Sequence, residues 1–156
     1  MSEFKTTQGD IRHVDETRRA DANGIEVTDQ DVANLRLQKR TVTVDEADLT
    51  GTSQAVNIGV ALPTNAVVLA HEIVVNEQAS GQSDLTIKIG GTDDDAIVAA
   101  STDLDALGTG AYQGTLGTHP RGSFSGQQLT ATFAATNLAN LSAGNFTFNV
   151  WFVVMA

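Results

Sequence analysis

"LSAGNFTFNVWFVV", Leu141 to Val154, decides the fold class. Phe146, Phe148, Val150, Phe152 and Val154 fall at every second position. Side chains two apart on an extended chain point to the same side, so these five form one continuous apolar face. The row is rich in aromatic and β-branched residues and follows a Ser-Ala-Gly-Asn turn, which is the signature of a strand. Trp151 and Val153 fall in the opposite phase, where they would be exposed unless something covers them.

The same period of two recurs toward the N-terminus. Val42 and Val44 alternate in "TVTVDEADL", Val56, Ile58 and Val60 in "AVNIGVA", and Pro63 stops that run. Leu85, Ile87 and Ile89 alternate with Thr86 and Lys88, and Leu129, Ala131 and Phe133 do so in "LTATFA". "AVVLAHEIVVN", Ala66 to Asn76, is apolar on both faces, as expected of a strand covered on two sides. "AIVAAS" and the region around Tyr112 add a seventh and an eighth strand candidate. Gly-rich joints such as "ASGQSD" and "GTGAYQGTLGTHPRG" separate the runs, and no amphipathic helix of ordinary length interrupts them. The expectation is an all-β chain, with a single β-sandwich or barrel over residues 41–156.

Residues 1–40 have a different composition. Charges are dense and large apolar residues sparse, which predicts an N-terminal arm, extended or partly helical, without a core of its own. Thr28 can cap a short helix through "TDQDVANLRLQK", with Asp31 at the capping-box distance; equally, "LRLQKRTVTV" reads as an entering strand. The arm holds seven basic against eight acidic residues, a net of −1, whereas residues 41–156 hold two basic against eleven acidic, a net of −9. Tight nucleic-acid binding draws on Lys and Arg replacing counterions, and such a body lacks them. No apolar stretch has membrane-spanning length, and the polar N-terminus predicts a chain made in the cytoplasm.

Chemistry is thinly represented. The chain has no cysteine, and its three histidines, His13, His71 and His119, fall at no metal-ligand spacing. Asp93, Asp94 and Asp95 sit behind Gly90 and Gly91, and adjacent side chains on an extended or turning chain point different ways, so a solvated turn is expected there rather than an ion site. "GSFSG" has Phe124 at its centre and lacks a nucleophile. The sequence therefore predicts no catalytic residue, no cofactor, no metal site and no enzyme.

The order of turns and strands from Val60 to Leu104, with "GTDDDAI" at Gly91 to Ile97 and the final strand at Ser142 to Val154, resembles the β-domain of capsid decoration, or head-stabilising, proteins of tailed bacteriophages, described as a β-tulip. That resemblance implies a homotrimer on the capsid exterior that cements the major capsid protein lattice, in a virion assembled in the host. Extended, residues 1–40 reach about 130 Å. The arm residues expected to contact capsid or a neighbouring subunit are Ile11, Val14, Arg18, Arg19, Ile25, Leu35, Arg36, Lys39 and Arg40, and the trimer-interface candidates are Trp151 and Val153. The alternative is a carbohydrate-binding or adhesive β-sandwich that recognises its ligand through Trp151, Tyr112 and the long Gly-rich loop. A metal-dependent hydrolase on Asp93 to Asp95 with His119 lacks a full ligand set.

Overall fold

In a computed structural model, residues 18–20, 26–28 and 36–155 are described. The chain divides into two units, Leu37–Val154 and Met1–Arg36 with Met155–Ala156. In the second, β1 (Arg18–Ala20) pairs antiparallel with β2 (Glu26–Thr28), Arg19 opposite Val27. Thr28, a candidate helix cap by sequence, thus ends a strand. Ile11, Val14, Ile25 and Leu35 lie outside the described residues.

The larger unit carries nine strands: β3 (Gln38–Asp45), β4 (Ser53–Asn57), β5 (Ala66–Ser80), β6 (Thr86–Gly90), β7 (Val98–Asp103), β8 (Gly110–Tyr112), β9 (Gly122–Ser123), β10 (Thr130–Ala134) and β11 (Ala143–Val154). Single 3-10 turns at Glu46–Asp48 and Leu138–Asn140 are the only helical elements among the described residues. One sheet has the order β4-β10-β6-β7, and the other β3-β11-β5-β8 with β9 also on β5. Every pairing is antiparallel. Neither sheet closes on itself, so of the two expected architectures the sandwich is the observed one. β3 starts at Gln38, which brings Lys39 and Arg40, counted with the arm by composition, into register with Trp151 and Val150.

The apolar row of β11 lies at the centre of the five-stranded sheet, between β3 and β5, and Phe146, Phe148, Val150 and Phe152 are fully buried. From the facing sheet, Phe133 on β10 meets both Phe146 and Phe148, at ring-centroid distances of 5.8 and 5.5 Å. Ile87, Ile89 and Ala131 complete that inner face, and Thr86, Lys88 and Thr130 point the other way. Burying each Phe or Ile contributes about 1.5–3 kcal/mol, so this interface is the main source of stability.

β5 explains an ambiguity of the sequence. Trp151 pairs with Ala70 and Phe152 with Val68, leaving Leu69 as an extra residue on β5. The bulge inverts the phase of the strand: Ala66 and Val68 face inward before it, His71, Ile73 and Val75 after it. "AVVLAHEIVVN" is therefore apolar in both phases because it changes phase, and the expectation of a strand covered on two sides is corrected. Glu72 and Val74 on the other face are only half-buried.

Candidate functional site

The outer face of the five-stranded sheet carries the alternate residues of β11, Asn145, Thr147, Asn149, Trp151 and Val153. Its first half is a polar lattice. Thr147 Oγ1 lies 2.8 Å from Thr43 Oγ1, and Asn76 Nδ2 donates to Asn145 Oδ1 and Thr147 Oγ1, both at 2.9 Å. Asn145 Nδ2 donates to Asp45 at 3.2 Å and Asn149 Nδ2 to Glu72 at 3.1 Å. Hydrogen bonding with the Glu46 side chain, then with the Ala47 N–H and Asn145, holds the Asp45 carboxyl below its ordinary pKa. The bond to Asp45, then burial, raises that of Glu46. Such cross-strand bonds fix side chains that would otherwise be free, giving a preorganised surface.

The second half of the face is apolar. Trp151 lies opposite Ala70 and Lys39, and Val153 opposite Val67. Trp151 is half-buried; Val153, at 9 % exposure, is buried without belonging to the core cluster, so its exposed phase in the sequence does not leave it open to solvent. Leu69 at the bulge and Leu37 just before β3 are exposed. Of the cations placed in the arm by sequence, Arg18 and Arg19 lie on β1, and Arg36 and Lys39 are exposed. Arg40 is half-buried, with its guanidinium 4.9 Å from the centre of the Phe152 ring and Nε donating to the Val60 carbonyl at 3.1 Å. Tyr112 pairs with Ile73, packs on the inner side against the core, and donates its hydroxyl to Gly108 O at 2.9 Å. Tyr112 and Trp151 therefore belong to opposite faces, and the joint sugar-binding surface considered from sequence does not form.

The acidic turn differs from its expected geometry. Gly91 N and Ala96 N both donate to the Asp93 carbonyl, at 3.0 and 3.3 Å, so the chain curls around that oxygen and the three carboxylates converge within 4.8 Å of one another. Gly90 permits the curl, because a Cβ there would lie 2.1 Å from Asp93 O. The converging charges have a counter-ion in the chain itself, since Lys88 Nζ is 2.6 Å from Asp94. A hydrogen bond with Asp93, then burial, then the charges of Asp93 and Asp94 raise the Asp95 pKa. Thr118 Oγ1 donates to Asp93 at 3.2 Å, tying the turn to the Gly-rich loop.

That loop forms the side wall of the sandwich. β8 pairs with β5 of one sheet, and beyond it Thr115 O bonds to Ala99 on β7 of the other, and Gly117 N and His119 N to Ile97 and Ala96 just before β7, at 2.8 to 3.0 Å. Gly114, at φ +70°, makes the crossing where a Cβ would come within 3.1 Å of Thr102, Ile73 and Val98. The loop encloses a cleft of about 600 Å³ whose lining includes His71, Gln113, Thr118, His119 and Arg121. His71 Nε2 lies 2.7 Å from Gln113 O, and Gln113 Nε2 donates back to His71 O at 2.9 Å. No sequence spacing signalled this cleft, because His71 comes to line it with His119 and Arg121 through the pairing of β5 with both β8 and β9.

No protein-family model matches the sequence, and no curated protein matches it. Among solved structures, it is similar to a chain of the cyanophage Pam1 capsid asymmetric unit, with a TM-score of 0.50 and 18 % identity over 78 % of this chain and 85 % of that one. A chain of the capsid of Ralstonia phage GP4 gives 0.47 and 16 % identity, covering 78 % of this chain and 85 % of that one. One from the acidic stable capsid structure of Helicobacter pylori bacteriophage KHP30 gives 0.44 and 14 %, covering 78 % and 95 %. At such identities the likeness to the Pam1 chain is one of fold. No helix among the described residues is long and apolar enough to cross a membrane.

Proposed function

We propose that this chain is a non-enzymatic structural protein of a bacteriophage virion that sits on the outside of the head and stabilises the capsid lattice. The observation that carries the reading is the shared fold with a chain of the Pam1 capsid asymmetric unit, which extends over 85 % of that chain. Two physical features support it. The net charge of −9 after Arg40 disfavours contact with packaged DNA and suits the outer surface of a shell. The outer face of the five-stranded sheet, half hydrogen-bonded lattice and half apolar around Trp151, suits docking against a protein surface.

In this reading the partners are the major capsid protein and two further copies of the chain. Residues around Trp151 meet a neighbouring copy, the buried Val153 lying beneath that surface, and residues 1–40 reach capsid or an adjacent subunit. Three weak attachments held by one trimer reinforce one another by effective concentration, so the assembly holds capsomers together more firmly than any single contact.

The test is removal of residues 2–34, followed by two measurements on the same protein. Melting of the isolated protein should be nearly unchanged, and its retention on heads stripped of decoration should fall sharply. Retention equal to that of the full chain would mean that the arm plays no part in attachment.

A further inference from the structure

We infer that the cleft beneath the Gly-rich loop is an oxyanion site, in which Arg121 and His119 hold a carboxylate or phosphate group. The inference does not depend on the virion reading. From Thr41 onward the chain has two basic residues, Lys88 and Arg121. Lys88 is neutralised by Asp94 at 2.6 Å, whereas Arg121 is exposed and has no carboxylate partner among the described residues. It lines the cleft together with His71 and His119, two of the three histidines of the chain. The part of the chain after Arg40, with a net charge of −9, thus gathers into a single concavity two imidazoles and a cation that has no carboxylate partner among the described residues.

The hydrogen bonds around the cleft assign roles to its lining residues. His71 Nε2 is engaged with the Gln113 carbonyl and Gln113 Nε2 with His71 O, so these two form a wall rather than a binding group. The Thr118 hydroxyl donates to Asp93 and accepts from His119 Nδ1 at 3.2 Å, which fixes the ring and turns Nε2 away from that bond. What remains is the planar guanidinium fork, whose geometry matches the two oxygens of a carboxylate or phosphate, with the His119 imidazole lining the same cleft. Burial first, opposed by the Gln113 carbonyl and assisted by the Arg121 charge, keeps His71 less basic than usual. The concave shape of the cleft concentrates that positive field. A metal cation would be repelled by the same charge, so the ligand is an anion.

The full chain is titrated in chloride buffer, at constant ionic strength near pH 6, with three probes: inorganic phosphate, glutarate and a short oligo-glutamate peptide. Binding is followed by NMR of the histidine and arginine side chains. Saturable shifts of His71, His119 and Arg121, with a dissociation constant on the order of 1 mM, are expected. Arg121→Gln should weaken binding at least about tenfold, since a charged fork is lost, and His119→Asn by a smaller factor. Response to the peptide and glutarate alone identifies an acidic side chain of a partner as the ligand; response to phosphate alone identifies a free phosphate. No saturable shift with any probe, or binding unchanged in Arg121→Gln with the fold intact by circular dichroism, overturns the assignment.

Discussion

Phe133 on the four-stranded sheet meets Phe148 on the five-stranded sheet edge-on, with ring centroids 5.5 Å apart and planes inclined by 73°. Both rings are fully buried, so this contact couples the two layers. Phe133→Ala should cost about 3–5 kcal/mol, combining lost burial with an unfilled cavity. Against a net stability of about 5–15 kcal/mol for a domain, that is a large fraction. Urea denaturation should show the loss as a lower midpoint with little change in slope. A Phe133→Ala, Phe148→Ala double variant should lose less than the sum of the two single losses, because the rings touch.

Removing β11 should abolish folding. It is hydrogen-bonded to β3 along one edge and β5 along the other, so a chain ending at Gly144 loses the middle of a sheet as well as four buried large side chains. The expected product is insoluble, or soluble without a cooperative thermal transition. A cooperative melt in that truncation would show that the strand is peripheral.

His71 should make stability fall in mild acid. Burial lowers its pKa in the folded chain, opposed by the Gln113 carbonyl and assisted by the Arg121 charge. The unfolded ring takes up a proton as pH drops through about 6.5, while the folded ring resists it. The contribution is therefore complete above that value and lost progressively from there down to the depressed folded pKa. His71→Gln keeps a donor for Gln113 but does not titrate. The difference in melting temperature between wild type and variant should shrink on going from about pH 7.5 to about pH 5, and carboxylates common to both cancel. A difference independent of pH would contradict the buried neutral ring.

Arg40 should stabilise the sandwich. Its guanidinium stacks on Phe152 and its Nε holds the Val60 carbonyl. A partly desolvated cation–π contact of this kind is worth about 0.5–2 kcal/mol. Arg40→Ala should lower the denaturation midpoint accordingly, and Arg40→Lys should recover only part of it, because the planar group is lost. Lys39→Ala, at an exposed position on the other face, should leave stability nearly unchanged.

Much of the sandwich is legible in the sequence because its strands are short alternating runs bounded by Gly, Pro and Asp. Phe146 to Val154, Leu85 to Ile89 and Leu129 to Phe133 form strands where their period of two places them. What was hidden depends on contacts distant along the chain or on local bends. The Leu69 bulge inverts the phase of β5, so two one-sided halves read as one two-sided strand. The curl around the Asp93 carbonyl makes neighbouring aspartates converge, which no strand or simple turn pattern foretells. The cleft joins His71 to Arg121 across fifty residues of chain through the pairing of β5 with β8 and β9. Tyr112 and Trp151, both plausible surface aromatics by sequence, are separated because they lie on opposite faces of one sheet.

The central claim, a structural role on the outside of a phage head, is tested most directly by cryo-electron microscopy of mature particles from the genome that carries this reading frame. Density fitting the β3 to β11 sandwich is expected on the outer surface, in clusters of three, with the arm extending over capsid or a neighbouring copy. Particles that contain no copy of the chain, or that carry it on the inner surface against DNA, would contradict it.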